Sequence, residues 1–233
     1  SCDVLIYLSG ERTALGLLFL STILIIIFVK KFKLIILFSF LLSILIILTF
    51  TILSPEIKKR NIDHTINQLG LNSIISKSND NDVDKSRLYI FSPQHHSYII
   101  TSLNIFLSKP VLGSGPNAFR YLCSDETFSH DDLSCSTHPH NSYAQIFSEI
   151  GLIGFLFIFI LIINLIYQFR WNIYSLYKNN NKLLSDFQVC LFACFFITLW
   201  PFLPTQDFFN NWINIIYYLP VGFYLASLKK DNF

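Results

Sequence analysis

The residues most able to do chemistry in this sequence are two histidines, an asparagine and a few arginines. The run Thr137-His138-Pro139-His140-Asn141-Ser142-Tyr143 stands where a polar stretch gives way to a long apolar one. An imidazole titrates close to neutral pH, so a neutral histidine is a suitable general base for a hydroxyl acceptor. Ser142-Tyr143-Ala144-Gln145 fits a capping box, which puts His140 beside a helix N-terminus. Free N–H groups and partial positive charge at such a terminus suit a phosphate or a developing oxyanion. Two other readings fit the histidines: interfacial polar residues, or metal ligands together with His130, Asp131 or Cys135. His-x-His in a loop lacks the spacing of known zinc motifs, so no metal is expected.

Arg12 lies one to two turns inside an apolar run, where a cation is costly unless it meets a cavity, a partner or an anionic ligand. A snorkelling side chain, or a pair with Glu11, is the competing account. Glu149 lies about 13 Å along the helix from His140 at ~1.5 Å per residue, and an ionised form there needs a partner. A buried neutral carboxyl and an ion pair with an arginine of another span are both open. Arg87 and Arg120 lie in the polar region, where residue type alone does not separate a functional arginine from a solvated one. Cys123 and Cys135 share that region, and they form a disulfide if its compartment is oxidising; two unpaired thiols are the alternative.

These residues must be positioned by a membrane protein. Of 233 residues 52% are hydrophobic and 14% charged, and the apolar ones gather into runs long enough to cross about 30 Å of hydrocarbon. The expected spans are residues 5–29, interrupted early by Gly10, Glu11 and Arg12; 34–53; 143–169; 187–203; and 208–228. Three parts follow: a two-helix transmembrane hairpin over 1–53, a periplasmic loop over 54–141, and a three-helix transmembrane part over 142–233. Within the loop, 76–85 is polar and exposed, and 86–108 suits an interfacial helix ended by Pro110 and Gly113-Ser114-Gly115-Pro116. Lys30/Lys31/Lys33, Arg170/Lys178/Lys182 and Lys229/Lys230 fall on one side of five alternating spans, which makes that side cytoplasmic and the long loop external. The net charge of +2 gives no indication of nucleic acid. The first residue is Ser1 and methionine is absent, so the chain is expected to be cut from a longer protein, and no signal-peptide pattern opens it.

Three ordered motifs carry a family resemblance. His140-Asn141, nine residues, then Gly151-Leu152-Ile153-Gly154 resembles the H-N-x9-G-x-x-G signature of the O-antigen ligase and polymerase superfamily. Ser9-Gly10-Glu11-Arg12-Thr13 is similar to the family's Ser/Gly-x-Arg segment. Arg87 followed by Lys109-Pro110-Val111-Leu112-Gly113-Ser114-Gly115-Pro116-Asn117-Ala118-Phe119 resembles its external Arg and P-hydrophobic-L-G-x-G-P-x-x-F segment. The family's usual leucine after tyrosine is Ala144 here.

The resemblance implies an all-α, GT-C-like integral membrane glycosyltransferase of the bacterial inner membrane with its site facing the periplasm. It implies an undecaprenyl-diphosphate-linked glycan as donor, a lipid A-core or glycan acceptor, surrounding membrane lipid, and no cofactor or metal. Carried over by position, Arg12 and Arg87 hold the donor diphosphate with Asn141 nearby, and His140 activates or positions the acceptor hydroxyl; Glu149, His138 and Arg120 are possible supports. A ligase is the leading reading and a repeat-unit polymerase the alternative. A lipid-linked glycan transporter would want similar arginines, but the sequence pattern shows neither paired broken helices nor an inverted repeat.

Overall fold

The computed structural model describes residues 2–71, 89–178 and 184–230, and among them every regular element is helical. Arg87 and Lys182 lie outside the described residues, as does the polar tract 76–85. The chain divides into two compact units, one of Ser1–Leu53, Ile158–Trp200 and Asn211–Phe233, the other of Ser54–Phe157 and Pro201–Asn210.

In the first unit the expected opening span is two helices, α1 (Cys2–Ser9) and α2 (Arg12–Phe28). Gly10 separates them at φ 87°, a left-handed conformation that costs glycine little. Helix α3 (Lys33–Leu53) is unbroken and charge-free after its first residue, and Leu34, Phe38, Leu41, Leu45, Leu48 and Ile52 leave most of one face apolar and uncovered. An uncovered stripe of that kind suits lipid rather than water. The unit's core gathers Leu24 and Phe28 of α2, Leu165 of α8 (Ser142–Tyr177), Val189, Phe192 and Phe195 of α9 (Asp186–Thr198), and Tyr224 of α10 (Asn211–Lys230). Ser185 and Gln188 form a capping box that starts α9, and the Asp186 carboxylate beside it accepts the backbone N–H groups of Lys30 and Lys31 at 2.8 and 3.0 Å. The α2–α3 turn and the start of α9 therefore share one end of this unit.

Among the described residues, two helices are long and apolar enough to cross a membrane, Lys33–Leu53 and Ser142–Ser175. The expected fourth span stops at Thr198, before Trp200 and Pro201, and the fifth begins at Asn211, so both are shorter at the end that meets the 201–210 loop.

The second unit starts with Ser54 capping α4 (Pro55–Lys58), which runs through a π-helical turn (Lys59–Asp63) into α5 (His64–Gln68). Within the 86–108 stretch expected to be helical lies α6 (Pro93–Ser108), whose start is set by Ser92 as N-cap and Pro93 in the first turn. Ile105 of α6 packs against Phe119 of the short α7 (Phe119–Leu122) and against Cys123, with Tyr98, Leu122 and Phe128 around them.

Helix α8 is broken at Gly151 (φ 69°, ψ −162°), and the break is repaired by the 110–115 segment. Ser148 and Glu149 lose their helical donors, and their carbonyls accept Ser114 N–H at 3.0 Å and Gly115 N–H at 2.8 Å. On the far side of the break, Leu152 and Ile153 donate to the carbonyls of Pro110 at 2.9 Å and Val111 at 3.3 Å. Unpaired backbone groups are costly in a low-dielectric setting, so the glycine-rich segment completes the broken helix. A Cβ on Gly113 would lie 2.4 Å from the Glu149 carbonyl carbon, and one on Gly151 would lie 2.6 Å from Gly113 N. Two glycines three residues apart on a helix could let a neighbouring helix approach closely, but Gly151 meets the backbone of the loop instead, and a Cβ on Gly154 would meet Ile150 of its own helix.

Candidate functional site

His140 is the last residue but one before α8 and has φ 52°. Histidine tolerates the left-handed region better than most residues, yet the conformation is strained and needs support. Thr205 supplies it: its N–H donates to the His140 carbonyl at 2.9 Å, and its hydroxyl accepts Ser142 N–H at 2.7 Å. The first turn of α8 is capped by Asn141, whose Oδ1 accepts the N–H groups of Tyr143 and Ala144 at 3.1 and 3.0 Å while Nδ2 donates to the Pro201 carbonyl at 3.3 Å.

Two expectations are corrected by this arrangement. The cap is Asn141 rather than a Ser142/Gln145 box, because the Gln145 amide is engaged elsewhere: Nε2 donates to Asp207 at 2.7 Å and Oε1 accepts Phe208 N–H at 2.8 Å. The α8 terminus is also not a set of free N–H groups awaiting an anion, since the N–H groups of residues 142–145 all have protein acceptors.

The ring of His140 is half-buried among other rings. His138 lies 4.0 Å away between centroids, His95 and Tyr98 each 5.6 Å, and Nε2 is 3.2 Å from Ser136 Oγ. Burial holds the His140 imidazole below its ordinary value. The same cause, with His140 adding repulsion, lowers His95 and His138. For His138 the Asp207 carboxylate and the Thr205 backbone pull the other way and Arg120 adds to the lowering. All three histidines are thus biased toward the neutral form, the form that can accept a proton.

Ser136 reaches His140 from a loop closed by a disulfide between Cys123 and Cys135. That loop is held to α6: Asn104 Nδ2 donates to the Phe128 carbonyl at 2.9 Å, His130 N–H donates to Thr101 Oγ1 at 3.2 Å, and Ser97 donates to Asp131. Arg120 donates to Asn117 Oδ1 at 3.1 Å and sits 3.7 Å from Asp207. It is over a third exposed, so the ion pair with Asp207 adds little stability and leaves the guanidinium open to an anion.

Glu149 is fully buried, and of the two alternatives for it the ion pair with an arginine of another span gives way. Its carboxyl accepts Asn117 N–H at 2.8 Å and Phe119 N–H at 3.1 Å and meets Gln145 Nε2 at 3.3 Å, so backbone amides and a neutral side chain hold it rather than an arginine. Glu149 thereby fixes the start of α7 and, through it, Arg120.

His138, His140, Asn141, Arg120 and Glu149 thus fall within one unit, while Arg12 opens α2 in the other. Among the described residues no three His, Cys, Asp or Glu side chains converge as a metal site, and the sulfur of Cys135 is in the disulfide. Sequence reasoning missed His95, Tyr98, Ser136, Thr205 and Asp207. Asp207 had one available signal, as the lone charge in the apolar-flanked 201–210 loop.

The O-antigen ligase family pattern matches residues 2–160, which takes in all three motifs and both glycine segments that meet at the α8 break. The chain belongs to the O-antigen ligase family. The family is membrane-bound, includes O-antigen ligases and polymerases, and works on lipid-linked glycans. Membership suggests a glycan-transferring enzyme. No curated protein and no solved structure matches it.

Proposed function

We propose that this chain carries the catalytic residues of an O-antigen ligase of the bacterial inner membrane. It transfers polysaccharide from undecaprenyl diphosphate to a lipid A-core acceptor on the periplasmic side. The neutral, half-buried His140, held in a strained turn by Thr205 and packed against His138, His95 and Tyr98, is the observation that carries the reading.

His140 takes the proton of the acceptor hydroxyl, and the hydroxyl oxygen forms the new glycosidic bond at the anomeric carbon. The bond from that carbon to the diphosphate breaks with its electron pair on the phosphate oxygen. The leaving group needs positive charge rather than a proton, a part that the family resemblance gives to Arg12 and Arg87, with Arg120 as a possible support. Asn141 acts by positioning, since both ends of its amide hold the turn that carries His140. In this reading five spans, of a GT-C-like kind, place residues 54–141 outside. The shared end of the α2–α3 turn and the start of α9 supports a single cytoplasmic side for Lys30, Lys31 and Lys33.

The test is to express the full-length parent, wild type or His140→Ala, in cells lacking their own O-antigen ligase, and to size lipopolysaccharide and carrier-linked glycan. Long glycan on lipid A-core with wild type and none with His140→Ala is expected. Longer chains on the carrier without transfer would make the protein a polymerase, and full transfer by His140→Ala would remove the histidine from the chemistry.

A further inference from the structure

His95 meets the ring of His140 from a different element, and none of the three motifs contains it. Ser92 caps α6 by accepting the His95 backbone N–H at 3.2 Å, and the same hydroxyl lies 2.7 Å from His95 Nδ1. Ser92 is buried, so its hydroxyl proton needs an acceptor, and Nδ1 is the acceptor in reach. That assigns Nδ1 as the unprotonated nitrogen and places the proton of neutral His95 on Nε2, across the ring from Ser92. Burial and the neighbouring His140 both favour this neutral state.

His140 is complementary. Its Nε2 is occupied by Ser136 Oγ, so Nδ1 is the nitrogen left for a ligand. With ring centroids 5.6 Å apart and planes at 72°, the two histidines are spaced to touch one small polar group or two adjacent ones. One offers an N–H and the other a lone pair. A sugar, whose neighbouring hydroxyls each both donate and accept, fits that pair better than a phosphate, which offers acceptors only.

We propose that His95 is a positioning residue for the acceptor: its Nε2–H donates to a hydroxyl oxygen of the acceptor sugar while His140 takes the proton of the attacking hydroxyl. This rests on the reading of His140 as the base. His95 moves no proton in the step, so its contribution is to binding and alignment rather than to bond making. Tyr98, 6.1 Å from His95 and 5.6 Å from His140, packs against both rings.

The experiment uses the full-length protein in membrane vesicles with undecaprenyl-diphosphate-linked glycan as donor and titrated lipid A-core as acceptor. It compares His95→Gln, His95→Asn, His95→Ala and His140→Ala. A glutamine amide can stand where Nε2–H stood, whereas the shorter asparagine amide falls near Nδ1. The expectation is that Gln keeps the acceptor KM within about threefold. Asn and Ala should raise it by roughly tenfold, the worth of one neutral hydrogen bond, with the donor KM unchanged. Wild-type KM in all three His95 variants overturns the proposal while leaving His140 untouched. An equal loss of kcat in all three, Gln included, with unchanged acceptor KM also overturns it by making His95 structural. Full transfer by His140→Ala overturns the underlying reading itself, whatever the His95 variants do.

Discussion

Gly151→Ala tests how the site is built. Alanine at φ 69°, ψ −162° occupies a region that is essentially glycine's alone, at a cost of about 2 kcal/mol. Its Cβ would also sit 2.6 Å from Gly113 N and from the Val111 carbonyl oxygen, and both are backbone atoms that cannot rotate away. Relief requires the 110–115 segment to withdraw, and that segment makes four hydrogen bonds across the break, at 2.8 to 3.3 Å. If two of them are lost at ~1 kcal/mol each, the total is about 4 kcal/mol. The withdrawal also pulls Asn117 and Phe119 from the Glu149 carboxyl, leaving a buried acceptor short of donors and Arg120 adrift. The assay is thermal melting of the full-length protein in nanodiscs with limited proteolysis of the loop, using Gly222→Ala as control. A Cβ on Gly222 meets nothing within 4 Å, so that control should melt at or slightly above wild type. Gly151→Ala should melt well below wild type and expose the 109–135 region to protease. An unchanged midpoint and cleavage pattern would refute the account of the α8 break as a backbone-to-backbone joint.

The neutral histidines set a pH response. Because burial lowers His140 below 6.5, transfer should hold through that pH and fall only beyond it on the acid side, and an acid limb centred at or above 6.5 would contradict the assignment. For stability the sign is the same: His95, His138 and His140 bind protons more weakly folded than unfolded. Their contribution is complete above about pH 6.5 and is lost as pH drops through the folded values, which pH-dependent melting would read directly. Reduction of the Cys123–Cys135 bond, or Cys123→Ser with Cys135→Ser, should cost about 2–3 kcal/mol for a loop of this length. Protease sensitivity near 124–134 should rise and transfer should weaken through the loss of Ser136 from His140. Asn141→Ala should lower stability by about 1 kcal/mol through the lost cap, with Asn141→Ser recovering most of it, and equal melting of both variants would show that the cap is not what Asn141 supplies.

Some of this protein was legible in order and composition alone. Apolar runs announced a helical membrane protein because a helix that crosses hydrocarbon must be long and must satisfy its own backbone, and α3 shows that rule with almost no error in its ends. His140, Asn141 and the two glycine motifs were visible because their chemistry and backbone demands restrict residue type at fixed spacing. What spacing could not reveal is which motifs touch. Gly151, which shares a helical pair spacing with Gly154, is joined to a loop some 40 residues upstream, because the break there frees four backbone groups that only a passing segment can satisfy. The capping box was read from Ser142 and Gln145, but Asp207 and Phe208, 62 and 63 residues on, draw the glutamine away and leave the cap to Asn141. His95, Ser136 and Thr205 carry no local signature at all. They belong to the site because a disulfide-closed loop, the start of α6 and the 201–210 segment converge on one strained turn, and convergence of distant segments is a property of the packed chain that no linear pattern holds.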